Sequence, residues 1–125
     1  MSSSVPIPSA HQLAMDWINA WITGDLSLLK LAEDFSHTSP FGTLEGRKHY
    51  LDTIIPAYEQ NVAEIEFQEI IADENRAVLR FLAKGPDGVT PTTEWIYCSD
   101  GVIKSIVSYY SQGSKRLADG AATYD

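Results

Sequence analysis

One of the chain's three histidines, His37, lies where an imidazole could work on a ligand. It sits in the short extended run Phe35 to Phe41, which Pro40 and Gly42 stop. An imidazole exchanges protons near neutral pH, so His37 is a candidate general acid or base, oriented by a carboxylate such as Asp34. Ser39, two residues on, shares its strand face and could donate a hydrogen bond to a ligand. The same spacing would suit a Ser–His nucleophilic pair, but no Gly-x-Ser-x-Gly elbow accompanies it. The competing reading is a histidine held by ordinary strand hydrogen bonds.

Aromatic side chains could supply the walls of a binding pocket. Trp17, Phe41, Tyr58, Trp95, Tyr97 and Tyr110 are the candidates, their polar tips orienting a bound molecule; an ordinary aromatic core is the alternative. Arg80 and Glu94 fall on neighbouring strands, with Glu69 as a third member of a charged row. The apolar residues Ala77, Leu79, Phe81 and Ala83 alternate with Arg80, which puts Arg80 on the other face beside Arg76 and Lys84 and favours an exposed salt-bridge ladder. His11, His37 and His49 are far apart and Cys98 is alone, so no metal is expected. No phosphate loop or dinucleotide fingerprint is present, and no cofactor is expected.

These residues need elements to position them. Ser9 reads as an N-cap with Gln12 three residues on, followed by a helical stripe of Leu13, Trp17, Ala20 and Trp21 that Gly24 ends. Asp25 caps an expected second helix through Leu26, Leu28, Leu29 and Leu31. A third is expected after Gly46, burying Tyr50, Leu51, Ile54 and Ile55, with Pro56 interrupting or kinking it. From Ala63 the apolar period falls to two. Strands are expected over Ile65–Ile71 and Ala77–Ala83, then, after the turn Gly85-Pro86-Asp87-Gly88, over Thr92–Ser99. Asp100-Gly101 is a two-residue hairpin turn leading into Val102–Tyr110. Strand parity sets Trp95 and Tyr97 on the inward face with Leu79 and Phe81. The class is α+β: a curved antiparallel sheet packed on about three N-terminal helices. Both faces of the last two strands carry apolar residues, which predicts a homodimer through the outer sheet face.

A chain of 125 residues suits one domain, here 9–112 between a flexible lead-in 1–8 and a loose tail 113–125. Seventeen acidic against nine basic residues give a charge of −8, which disfavours nucleic acid and anionic membranes as partners. No apolar run approaches a membrane span and no signal peptide is seen. The single Cys98 fits a reducing, cytoplasmic compartment.

The order of elements resembles the nuclear transport factor 2-like cone fold, especially its SnoaL-like and ketosteroid isomerase-like members. The residues that carry the resemblance are Trp17-Ile18-Asn19-Ala20-Trp21 with Gly24-Asp25, then Ser39-Pro40-Phe41-Gly42 with Gly46, then Ser99-Asp100-Gly101-Val102-Ile103. It spans roughly residues 9–112 and implies a cone-shaped pocket between sheet and helices, and usually a dimer. Isomerase-like members carry a proton-shuttling Asp before a Pro-x-Gly segment, where this chain has Ser39. SnoaL-like cyclases often close the last strand with an acid/base Asp after two aromatic residues; here Ser111 follows Tyr109-Tyr110. Both carboxylates are missing, which disfavours steroid isomerisation and standard polyketide cyclisation. A row of Glu94, Arg80 and Glu69 would resemble the constellation of epoxide hydrolases of this fold.

Two functional readings follow. One is an acid/base enzyme of isomerase, dehydratase, cyclase or hydrolase class on a small apolar molecule, with His37 transferring the proton and Tyr97 or Tyr58 orienting the substrate. The other is a non-catalytic ligand-binding or dimeric assembly domain.

Overall fold

The first helix, α1 (Ala10–Thr23), forms where its caps and stripe require it. The Ser9 side chain accepts a hydrogen bond from the Gln12 amide at 3.0 Å. At the other end Gly24 takes a left-handed conformation, φ 81°, and its N–H reaches the Ala20 carbonyl. Glycine meets no steric cost there, and such caps stabilise a helix by about 1 kcal/mol. Leu13, Ala14, Trp17, Ile18 and Trp21 form the buried face. The structure is a computed structural model that describes residues 7–62, 64–86 and 88–111, with two short paired segments at 115–116 and 122–123. The expected lead-in and tail therefore lie largely outside the described residues.

The helix expected after Asp25 shrinks to a single 3-10 turn, Leu26–Leu28. Asp25 does cap it, accepting from the Ser27 amide at 3.1 Å. Leu31, counted on for the helix, is instead buried at the head of β1 (Leu31–Ser39), opposite Ile103. The sheet takes the apolar residue that a longer helix would have needed. Two α-helices, not three, pack on the sheet among the described residues.

β1 turns through Pro40-Phe41 into β2 (Gly42–Glu45), a short and mostly exposed strand that the sequence did not announce. α2 (Arg47–Asn61) follows and continues through Pro56 without interruption. Both Pro56 and Asp52, whose carbonyl loses its usual donor, are exposed, so water replaces the missing bond.

Four long strands complete the sheet: β3 (Glu64–Ala72), β4 (Arg76–Gly85), β5 (Gly88–Ser99) and β6 (Val102–Tyr109). The order across it is β2-β1-β6-β5-β4-β3. All neighbours are antiparallel except β1 and β6, which run parallel; the sheet expected to be antiparallel is thus mixed at that join. Register shifts between Phe67 and Glu69 and between Tyr97 and Cys98 mark bulges, the usual means of curving strands. Asp100 and Gly101 both have positive φ, 56° and 79°, as the two-residue hairpin turn demands.

The β4–β5 hairpin corrects the expected facing of two aromatics. It closes with Gly85 opposite Gly88, so odd-numbered residues of β4 face even-numbered residues of β5. Leu79 lies opposite Glu94 and Phe81 opposite Thr92, all four buried on the inner face. Trp95 and Tyr97 therefore point outward and are 36% and 37% exposed. Inside, Trp17, Phe35, Leu79, Ile96, Ile103 and Ile106 form a fully buried core under both helices. No helix among the described residues is long and apolar enough to cross a membrane.

Candidate functional site

The concave face of the sheet and the two helices enclose a cavity of about 700 Å³. Its lining passes from buried His37, Glu94, Ser108 and Tyr50 to exposed Phe41 and Pro86, where it opens to solvent. Trp21, Ile54, Tyr58, Ile65 and Phe81 make an apolar wall. No Lys or Arg is among the described lining residues, and Glu94 is their one carboxylate.

A chain of buried hydrogen bonds runs along the floor. The Trp17 indole Nε1–H donates to Glu94 Oε1 at 2.7 Å. Ser108 Oγ donates to the other carboxylate oxygen at 2.7 Å and lies 2.9 Å from His37 Nε2. His37 Nε2 is itself 3.7 Å from Glu94 Oε2. The register explains the meeting: Glu94 on β5 is directly opposite Ser108 on β6, and His37 on β1 is opposite Ile106, two residues along on the same face. α1 brings Trp17 down onto them. All four residues are less than 10% exposed, so these groups interact in a low-dielectric setting where losing one partner is costly.

Tyr50 of α2 packs over His37, their ring centroids 5.1 Å apart. Burial, then the Glu94 charge and the neighbouring Tyr110 phenol, push its ionisation well above the usual phenol range. The hydroxyl is therefore a permanent donor. Tyr50 lines the cavity, and its hydroxyl makes no hydrogen bond to another described residue.

The expected site residues divide. His37, Trp17, Phe41, Tyr58 and Tyr110 all line the cavity. Phe41 is 75% exposed at the rim, its ring 6.1 Å from that of Tyr110. Tyr58 is committed elsewhere, its hydroxyl donating to the Trp21 carbonyl at 2.6 Å. Ser39 is not in the lining and instead accepts a hydrogen bond from the Phe41 amide. Trp95 and Tyr97 are on the opposite face, as the hairpin register requires. Asp34 does not orient His37: it is exposed and paired with Lys104. Arg80 pairs with Glu69 on the outer face, away from Glu94, as the strand alternation indicated. The Cys98 thiol lies outside the lining, and burial raises it to about 11, which keeps it protonated and unreactive.

Glu94, Ser108 and Tyr50 were missed as site residues. Glu94 shares strand parity with Ile96, and Ser108 with Ile106, a signal drowned by Trp95, Tyr97 and Val107 on the other face. Tyr50 was read only as part of a buried helix face.

A SnoaL-like domain model matches residues 14–104 of the chain. The chain belongs to the SnoaL-like family. No curated protein sequence matches it. Solved structures share its fold at low identity. A protein from Kribbella flavida DSM 17836 aligns with TM-score 0.77 at 17% identity, covering 84% of this chain and 88% of its own. A nuclear transport factor 2-like protein from Cytophaga hutchinsonii ATCC 33406 gives 0.68 at 17% identity, over 89% and 95%. A protein with a ketosteroid isomerase-like fold from Catenulispora acidiphila DSM 44928, in complex with trimethylamine, gives 0.70 at 16%, over 81% and 86%. The SnoaL-like chain thus shares the fold of these structures, with six strands in its own main sheet.

Proposed function

We propose that this SnoaL-like domain binds a small, largely apolar organic molecule in the cavity and that His37 transfers a proton on it. The observation that carries this reading is the buried chain Trp17–Glu94–Ser108–His37 on the floor of a mostly apolar cavity. A buried polar network is costly to keep unless its sealed groups are satisfied, and none of the sealed side-chain polar atoms among the described residues lacks a partner. Glu94 supports the imidazolium that forms when His37 takes a proton, and the Tyr50 phenol offers a hydrogen bond to the bound molecule. With Ser39 and Ser111 at the positions of the family's familiar carboxylates, His37 is the group left to act as acid or base, in an isomerase, dehydratase, cyclase or hydrolase. The trimethylamine held by the Catenulispora relative supports a small organic ligand.

The test is native mass spectrometry of the protein purified from its own host, followed by turnover of the retained molecule. We expect His37→Gln to bind that molecule with similar affinity and to lose turnover by roughly 10²- to 10⁴-fold. Binding without turnover in the wild type would establish the non-catalytic pocket domain instead.

The outer sheet face supports a dimer. Ile71, Val78, Trp95 and Val107 form one apolar row across four strands, with Tyr97 and Tyr109 beside it. Ile71 and Tyr109 are 66% and 59% exposed in the single chain, and a second copy would cover them. Sedimentation at micromolar concentration should give twice the chain mass; a monomer would end this part of the proposal.

A further inference from the structure

Hydrogen-bond stoichiometry at Ser108 determines which imidazole nitrogen can react. A serine hydroxyl has one hydrogen to give and lone pairs to receive. Ser108 gives its hydrogen to Glu94 Oε2, because a carboxylate only accepts. The other Glu94 oxygen is engaged by the Trp17 indole, which only donates. The 2.9 Å contact between Ser108 Oγ and His37 Nε2 can then be a hydrogen bond only if Nε2 carries the proton.

We infer that Glu94, acting through Ser108, fixes the neutral His37 proton on Nε2 and leaves Nδ1 as the basic nitrogen presented to the cavity. His37 lines the cavity, and its Nδ1 makes no hydrogen bond to another described residue. Glu94 and Ser108 are thus positioning residues, and the proton acceptor is Nδ1. The titratable groups against the imidazole are Glu94 from β5 and Tyr50 from α2, and Tyr110 after β6 lines the same cavity. Neither phenol takes part in the Ser108 bonds that set the tautomer.

The inference rests on His37 as the proton-transfer group, but its test needs neither ligand nor turnover. In ¹⁵N-labelled protein at about pH 9, above the ordinary imidazole range, protonated and bare ring nitrogens have well-separated shifts. The wild type should show the Nε2–H form in at least about tenfold excess, within the worth of one buried charge-assisted hydrogen-bond chain. Glu94→Gln should reverse it. Trp17 requires an acceptor, so the amide oxygen turns to the indole and the NH₂ donates to Ser108. The Ser108 hydrogen then has Nε2 as its remaining acceptor in the network, and giving it there moves the imidazole proton to Nδ1.

A wild type with the proton on Nδ1, or a folded Glu94→Gln protein that keeps it on Nε2, would overturn the inference. Backbone amide spectra establish the folding of the variant, and the wild-type measurement stands even if the variant does not fold. If the tautomers behave as expected while His37→Gln keeps full turnover, the proposed function fails and the positioning role survives. The reverse pairing of results separates them the other way.

Discussion

Two glutamates of one sheet, Glu94 on β5 and Glu69 on β3 with β4 between them, are held in opposite ways. Glu94 faces inward, 7% exposed, and its oxygens accept from neutral donors, Trp17 and Ser108. Glu69 faces outward and pairs with the Arg80 guanidinium, both side chains more than half exposed. The ion pair looks the stronger bond on paper, but water screens it and its side chains lose freedom to make it. The neutral donors around Glu94 are almost wholly removed from solvent. The difference is one of replaceability: on the outer face solvent readily stands in for a lost partner, and on the buried floor it does so at a cost.

Mutations can test that contrast. Glu94→Ala should have the largest effect, leaving the buried Trp17 indole without an acceptor and Ser108 with only the His37 ring to donate to. We expect about 2–4 kcal/mol of lost stability in urea unfolding, with little change in slope. A loss below about 1 kcal/mol would mean that water reaches the floor as easily as it reaches Glu69. Trp17→Phe keeps most of the ring packing but removes one donor, and should cost about 1–2 kcal/mol. Arg80→Ala should cost the least, under about 1 kcal/mol, and that small loss should fade further in high salt.

Protons extend the same contrast to pH. Burial holds the Cys98 thiol at about 11 and the Tyr50 phenol well above its usual value. The folded chain therefore retains these protons where the unfolded chain releases them. Their contribution is complete below about pH 9 and declines as pH rises through 11. Cys98→Ala should flatten the fall of stability between those values, measured by urea titrations across the range. An unchanged alkaline slope would exclude the thiol as its source.

How much of this was legible in the sequence depended on whether solvent or the core dictated each residue. The Ser9 and Gly24 caps of α1 and the Asp100-Gly101 turn are local signals, and all three operate as expected. β2 gave no signal because it is exposed over most of its length and has no apolar alternation. The inward face of β5 was misread because Trp95 and Tyr97 outweigh Thr92 and Glu94 in hydrophobicity, although the latter pair is buried. Only the Gly85–Gly88 closure of the hairpin fixes that parity, and one residue of register reverses every side chain. His37 stood out because its chemistry is singular. Its partners, Glu94 and Ser108, lie 57 and 71 residues away and are ordinary residue types beside larger apolar ones.

The parallel join of β1 to β6 has a consequence for the order of assembly. Hairpins β3–β4, β4–β5 and β5–β6 connect neighbours in sequence and can form early, whereas β1 meets β6 only after the chain has closed a long loop. Glu94 and Ser108 thus face each other as soon as the last hairpin zips, but the imidazole arrives with the slowest contact in the sheet. A nascent or partly unfolded chain contains the carboxylate without its base, and the site is completed only when the sheet is.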